Sequence, residues 1–215
     1  MPWFVVALFL TTQKIPPLVL TSYLFNYSTT SFILLFFILA SAAIGAIGGL
    51  AQTSLRVILA FSSVAHLSWL LRGILITNWN WVSYFLVYSF ILISLISTLY
   101  PNSTNSINQI FSKLPFLTSI FISFIILSLG GLPPFIVFLP KLILVKSLIE
   151  SPFFLLTLPL FLTSFVRLFF YSRVFSIGLI HPHSSNSFSL PLIYFRGILL
   201  TLNLRGLLIL PFLTI

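Results

Sequence analysis

The sequence predicts an all-α integral membrane protein with about seven transmembrane helices. Only 5% of its 215 residues are charged and 59% are hydrophobic, whereas a soluble domain carries about 25% charged residues. The mean hydropathy is +1.20. Apolar runs near the roughly 20 residues that a spanning helix needs recur along the chain. These observations leave too few charges to solvate a globular surface and make the bilayer the solvent of this protein.

Seven apolar segments follow one another, joined by short polar connections. Backbone groups in lipid must find hydrogen bonds within their own segment, so helices are the only economical structure for these runs. No composition shift or linker marks a soluble domain, and the whole chain, 1–215, is expected to be a single transmembrane domain. The segments cover residues 3–25, 31–50, 55–76, 81–100, 116–149, 152–176 and 190–214.

The charged residues exclude several classes of function. The net charge is +9, but the bases stand singly in apolar runs and form no basic patch, which argues against nucleic-acid binding. The single acid, Glu150, cannot build paired carboxylates or a hydrolytic triad. There is no cysteine for disulfides or thiolate-bound clusters. His181 and His183 lack such ligands nearby, so no metal site is expected. Proton movement and binding of an apolar molecule remain.

The fifth segment is too long for one spanning helix. Its 34 residues would extend about 51 Å as a helix, against a hydrocarbon core of about 30 Å. Prolines there remove backbone donors and clash with the preceding turn. We therefore predict a broken helix over 116–129 and 135–149, of the kind that forms ion pathways in transporters. The alternative is a tight loop between two short, non-spanning helices. The break residues are Gly130, Gly131, Pro133 and Pro134.

Two lysines are placed too deep to reach a membrane surface easily. Lys14 lies in the middle of the first segment, which is expected to be interrupted just afterwards at Pro16-Pro17, and Lys141 lies seven residues beyond the second break. Desolvation disfavours a charged ammonium, so a buried lysine can exchange its proton near neutral pH. Both are candidate proton carriers. The alternative is a lysine paired to a backbone carbonyl at the helix break.

His66 is the third candidate, in the third segment and four residues after Ser62. Histidine titrates near neutral pH and can shuttle protons. The alternative is a histidine that is hydrogen-bonded between helices. Arg56 and Arg72, at the two ends of this segment, are expected to be interfacial anchors, and Lys146 with Glu150 is expected to form a helix-end ion pair.

Three stretches carry a resemblance to a known family. GGLAQTSLRVILAFSSVAHLSW over 48–69 resembles the family pattern GGLNQTxLRKILAYSSIxHxGW. LSLGGLPP over 127–134, followed by FLPK over 138–141, resembles LSLGGLPPxxGFLPKW, and TQKIPP over 12–17 is more weakly similar to TWQKxAP. Together they resemble the chain 2 subunits of NADH:ubiquinone oxidoreductase, the respiratory complex I, through most of residues 1–176.

The resemblance implies an antiporter-like, proton-translocating subunit built from two inverted repeats of five helices. Lys14 is similar to the family's lysine that links two half-channels, Lys141 to the lysine on the broken helix of the second repeat, and His66 to the histidine between them. A proton pathway through these residues, driven by quinone reduction elsewhere, is the implied mechanism. No cofactor is expected in this chain; ubiquinone, FMN and iron–sulfur clusters are expected in partner subunits.

The match covers what resembles the C-terminal half of the family. Residues 1–26 correspond to the last helix of a mostly absent first repeat, 31–176 to the complete second repeat, and 190–214 to the final helix. Val57 stands where the family has lysine, and no intramembrane acid is available to pair with Lys14. A split gene, an incorrect start and a loss of half the machinery all remain open.

The expected partners are other membrane-arm subunits of complex I and membrane lipids. A separate chain that supplies the missing half is one of the three alternatives, and nucleic acid is not expected. Low charge and 25 phenylalanines suit a mitochondrially encoded protein of the inner membrane. Two other functions stay open: a non-pumping structural subunit of the same complex, and a subunit of a sodium/proton antiporter complex.

Overall fold

The computed structural model describes residues 2–27, 31–76, 80–100, 106–149, 154–180, 201 and 203. Within these ranges every regular secondary-structure element is a helix. The one β-type pairing among the described residues is an isolated bridge between Ser54 and Ser106. The helices are α1 Trp3–Leu10, α2 Ile15–Tyr27, α3 Ser31–Leu50, α4 Leu55–Ile76, α5 Asn80–Leu99, α6 Ile107–Lys113, α7 Phe116–Gly130, α8 Phe138–Ile149 and α9 Thr157–Ile180. Short 3-10 turns cover Thr12–Lys14 and Phe154–Leu156.

Five helical stretches in the described part of the chain are long and apolar enough to cross a membrane. They correspond to five of the predicted segments, and the sixth is the broken pair α7 and α8. The all-α membrane fold class is therefore confirmed. The predicted seventh segment, 190–214, lies outside the described residues apart from 201 and 203.

The first segment is interrupted before its prolines. α1 ends at Leu10, the 3-10 turn carries Lys14, and α2 begins at Ile15. Pro16 and Pro17 therefore lie in the first turn of α2, where a missing backbone N–H costs no intrahelical hydrogen bond. The hydroxyl of Thr11 donates to the Ala7 carbonyl at 2.7 Å. The prediction of an interruption at Pro16-Pro17 was wrong by a few residues, and Lys14 lies in the break itself.

The second predicted break is confirmed between α7 and α8. Gly131 ends α7 in the left-handed conformation, with φ 76° and ψ 44°, which glycine adopts without a Cβ penalty. Turn hydrogen bonds, from Phe135 N to Leu132 O at 3.0 Å and from Phe138 N to Phe135 O at 3.1 Å, then occupy the gap. The helix resumes at Phe138, three residues later than predicted, because the chain completes these turns first.

Helix α6 was not predicted, because its residues overlap a connection interpreted as polar loop, Pro101 to Asn108. Its apolar side chains Ile107, Ile110 and Phe111 are buried. Their spacing of three and four residues is typical of one helix face, but seven residues are too few for a membrane-length window to detect. The Ile107 amide donates to the Thr53 carbonyl at 3.1 Å, which ties α6 to the chain between α3 and α4.

Helix α4 lies at the centre of the bundle and carries more buried polar residues than any other described helix, five of seventeen. It contacts α3, α5, α8 and α9. Ser62, His66 and Ser68 on α4 are each at most 1% exposed, while large apolar residues such as Phe36 on α3 and Leu162 on α9 are more than half exposed. Polar groups inside and apolar groups outside suit a bundle surrounded by lipid.

Candidate functional site

Lys14 extends from the 3-10 turn between α1 and α2 towards helix α4. Its Nζ donates a hydrogen bond of 2.7 Å to the backbone carbonyl of Ser63. The same nitrogen lies 5.1 Å from the centroid of the Tyr88 ring on α5, within the range of a cation–π interaction. The side chain is half-buried. Lys14 is therefore held at the junction of three elements.

His66 is fully buried at 0% exposure. Its Nδ1 lies 2.7 Å from the hydroxyl of Tyr84 on α5, so the alternative of a histidine hydrogen-bonded between helices is correct for this nitrogen. Its ring packs against Tyr88 with centroids 4.7 Å apart. Nε2, however, has no hydrogen-bond partner within the described residues. One nitrogen fixes the ring, and the other is available to accept or donate a proton.

Lys141 lies on α8 and reaches back over the break to the end of α7. Its Nζ donates a hydrogen bond of 2.7 Å to the Gly130 carbonyl, and the residue is 7% exposed. The alternative of a lysine paired to a carbonyl at the break is thus realised. The last carbonyls of a helix carry a partial negative charge, which favours the ammonium. An ammonium has three N–H donors, so the bond to Gly130 leaves two of them for other hydrogen bonds.

Two aromatic side chains connect the three predicted residues. Tyr88 contacts both Lys14 and His66. Trp69, three residues after His66 on α4, has its ring centroid 5.9 Å from the Lys141 Nζ. The fold therefore brings residues 14, 66 and 141 into one cluster, in which Lys14 is half-buried and the other two are buried, although they lie far apart in the sequence.

Arg167 is a member of this cluster that the sequence analysis missed. It lies on α9 and is 1% exposed. Its neighbours on that helix, Leu168 and Tyr171, lie beside Gly130, whose carbonyl accepts the hydrogen bond from Lys141. The signal was available, because Arg167 stands nine residues from the nearer end of the predicted segment 152–176, almost as deep as Lys14, which stands eleven residues from either end of its own segment.

The prediction that both arginines of α4 are interfacial anchors was wrong for Arg72, which is 0% exposed. Helices α5 and α8 pack against this end of α4, where Trp81 and Leu144 lie beside Gly73. Inspection of a single helix in the sequence cannot reveal neighbours from other helices. Arg56 is half-buried, with its guanidinium carbon 4.6 Å from the Trp3 ring centroid. Lys146 is exposed on α8, and its expected partner Glu150 lies outside the described residues.

The cluster contains groups that are able to exchange protons. The part of the chain that the structure describes contains no group of three or more histidine, cysteine, aspartate or glutamate side chains that could hold a metal ion. It does hold basic groups, phenols and a histidine nitrogen without a hydrogen-bond partner among the described residues. Two lysines beside helix breaks, with a buried histidine on the helix that both lysines contact, form the candidate site.

Comparison with known proteins shows which family the chain belongs to. The family described as NADH:quinone oxidoreductase/Mrp antiporter, transmembrane, matches residues 1–166, and the chain belongs to this family. It is 37% identical over 187 residues to NADH-ubiquinone oxidoreductase chain 2 of Locusta migratoria, covering 86% of this chain and 54% of the relative. The chain 2 protein of Aedes aegypti is 38% identical over 217 residues, covering 96% of this chain and 62% of the relative.

The resemblance found in the sequence motifs is thereby confirmed, and the chain spans only 54% to 62% of the length of these two relatives. With several apolar helices and mitochondrial relatives, it is a multi-pass protein of the mitochondrial inner membrane.

Two solved structures show the same fold. A chain of respiratory complex I from Thermus thermophilus with bound aureothin aligns with a TM-score of 0.67 at 20% identity, covering 87% of this chain and 47% of that one. A chain of the Mrp complex from Dietzia sp. DQ12-45-1b aligns with a TM-score of 0.60 at 18% identity, covering 75% of this chain and 32% of that one.

Proposed function

We propose that this chain translocates protons as a membrane-arm subunit of NADH:ubiquinone oxidoreductase. The observation that supports this most directly is the clustering of half-buried Lys14 with buried His66 and Lys141 around Tyr88 and Trp69 in a bundle whose outer face is apolar. Each charged group at membrane depth costs about 2.5–3.5 kcal/mol on insertion scales. A cluster of such groups is therefore costly to the fold, and proton transfer is the function that accounts for it.

The proposed path runs from Lys14 through His66 to Lys141. Lys14 and His66 both lie against the Tyr88 ring, and the Nε2 of His66 has no hydrogen-bond partner among the described residues. That nitrogen can take a proton from the Lys14 side and release it towards Lys141. Because Nδ1 is held at the Tyr84 hydroxyl, the ring keeps one orientation while Nε2 changes its protonation state.

Each lysine has a backbone carbonyl as its resting partner, Lys14 on α4 and Lys141 at the end of α7. Lys14 donates to the carbonyl of Ser63 and Lys141 to that of Gly130. A neutral lysine would give up part of the attraction to the carbonyl, so a shift in the position of the break would change how firmly the proton is held. In the proposed mechanism, this shift is driven by quinone reduction in other subunits.

The partners required by this proposal are the other subunits of the complex. They would contain the ubiquinone site, FMN and the iron–sulfur clusters, while this chain would bind none of these and would contribute the proton path. Membrane lipids would cover its apolar outer face.

Replacing Lys141 by methionine tests the proposal. Methionine has similar length but cannot carry a proton, so the protons translocated per NADH oxidised should fall at least about tenfold, in line with the loss of a proton-transfer group. The measurement is proton uptake in membrane vesicles that contain the assembled complex, normalised to NADH oxidation. The matched control is Lys146→Met, on the same helix with an exposed side chain, which should leave the ratio unchanged.

Unchanged translocation in an assembled Lys141→Met complex would exclude the pump and favour the non-pumping structural subunit. The second candidate function is a subunit of a sodium/proton antiporter complex, favoured by the fold similarity to a chain of the Mrp complex. That candidate predicts sodium-dependent proton movement that continues without NADH.

A further inference from the structure

A permanent charge is buried in the bundle without a counter-charge from the described residues. Arg167 is 1% exposed, and none of the described residues supplies a carboxylate to pair with it. The single acid of the chain, Glu150, lies outside those residues. A guanidinium stays charged in proteins.

The groups that face Arg167 come from the elements around it. On α5, the Tyr84 hydroxyl interacts with the guanidinium. Helices α3 and α7, which also pack against α9, carry no titratable side chain, and α6 carries only the exposed Lys113. Helix α4, which packs against α9 as well, carries His66 together with Arg56 and Arg72. The titratable groups of the surrounding cluster are His66, Tyr84, Tyr88, Lys141 and Tyr171.

We propose that Arg167 is a positioning residue that sets how firmly Lys141 and His66 hold a proton. A fixed positive charge in apolar surroundings repels a second positive charge on either base. Protonated Lys141 or His66 is then a high-energy state that passes its proton on, and simultaneous protonation of both is strongly disfavoured. This inference rests on the proposed function, because it assigns Arg167 a role in the same proton path.

The same reasoning predicts that neutral replacements of Arg167 remain folded. Arg167 has no counter-charge among the described residues, so replacing it by a neutral residue also removes the desolvation penalty of the buried charge. Glutamine and methionine are both neutral and of comparable length, but only glutamine can donate hydrogen bonds. An effect common to both variants would come from the charge, whereas an effect of one alone would come from hydrogen bonding or packing.

The experiment measures the pH profile of protons translocated per NADH oxidised, in vesicles containing the assembled complex with Arg167→Gln or Arg167→Met. Without the repulsion, Lys141 and His66 keep their protons to higher pH. Both variants should therefore shift the profile towards alkaline pH by at least about one unit, because a charge about 12 Å away contributes about one unit at an effective dielectric constant near 20 and a nearer charge contributes more. Lys146→Gln and Lys146→Met remove one exposed charge each and should leave the profile in place.

An unmoved profile in both Arg167 variants would overturn the inference. A shift in only one variant, or loss of assembly in both, would also overturn it, because Arg167 would then act through contacts and not through its charge. The result for Lys141→Met separates this outcome from failure of the proposed function. If Lys141→Met stops translocation while the Arg167 profiles stay unmoved, only the present inference fails. If Lys141→Met translocates normally, the proton path itself is wrong.

Discussion

Replacing Gly131 by alanine is expected to abolish most proton translocation while much of the complex still assembles. Gly131 ends α7 with φ 76°, and a Cβ there would overlap the Nζ of Lys141 and come within 2.9 Å of its Cε. The backbone strain costs about 1–2 kcal/mol. The flexible lysine can move away, but it then loses its 2.7 Å hydrogen bond to Gly130. The measurement is again proton uptake per NADH oxidised, together with the amount of assembled complex.

Gly131→Asn separates the effect of backbone strain from the effect of displacing the Lys141 ammonium. Asparagine tolerates the left-handed conformation better than alanine does, but it carries the same Cβ towards Lys141. We expect assembly to recover in the asparagine variant while translocation stays low. Full recovery of both would mean that backbone strain alone was responsible and that the position of the Lys141 ammonium does not matter.

Gly45→Leu is expected to prevent assembly altogether. A Cβ at Gly45 on α3 would lie 2.5 Å from the backbone nitrogen and 2.8 Å from the Cα of Ala65 on α4. Backbone atoms cannot rotate away as a side chain can, so α3 and α4 would have to separate. Overpacking of a core costs about 1–3 kcal/mol and more where backbone must move, and we expect the upper end of this range or beyond. Small residues permit this close approach of membrane helices.

The matched control for Gly45→Leu is Ala43→Leu, two residues earlier on the same helix with an exposed side chain. It adds a comparable apolar side chain facing the surroundings, so the amount of assembled complex on native gels should match the unmodified protein. Equal assembly of the Gly45 variant would show that α3 and α4 are not in the close contact described. It would also undermine the position of His66, which lies next to Ala65 on α4.

Several features of the site could be predicted from the sequence because they follow from local chemistry. The paired prolines after Gly130-Gly131 predicted the second break, since two successive residues without backbone donors cannot continue a helix. The depth of Lys14, His66 and Lys141 in apolar runs identified them as candidates. The start of α8 was misplaced because turn hydrogen bonds between Leu132 and Phe138 delay the helix, and such bonds depend on backbone geometry that composition does not encode.

What the sequence by itself determined is the class of structure: helices in a bilayer, one broken segment, and bases at membrane depth. Only the tertiary structure decided what those bases contact. Arg167 and Arg173 are six residues apart on α9, yet Arg167 faces the buried cluster, while Arg173 donates to the Leu50 and Gln52 carbonyls at 2.9 Å and 2.6 Å. The physical reason is that six residues turn a helix by about 600°, which places the two side chains on different faces. The neighbours on those faces come from other helices, which only packing brings there.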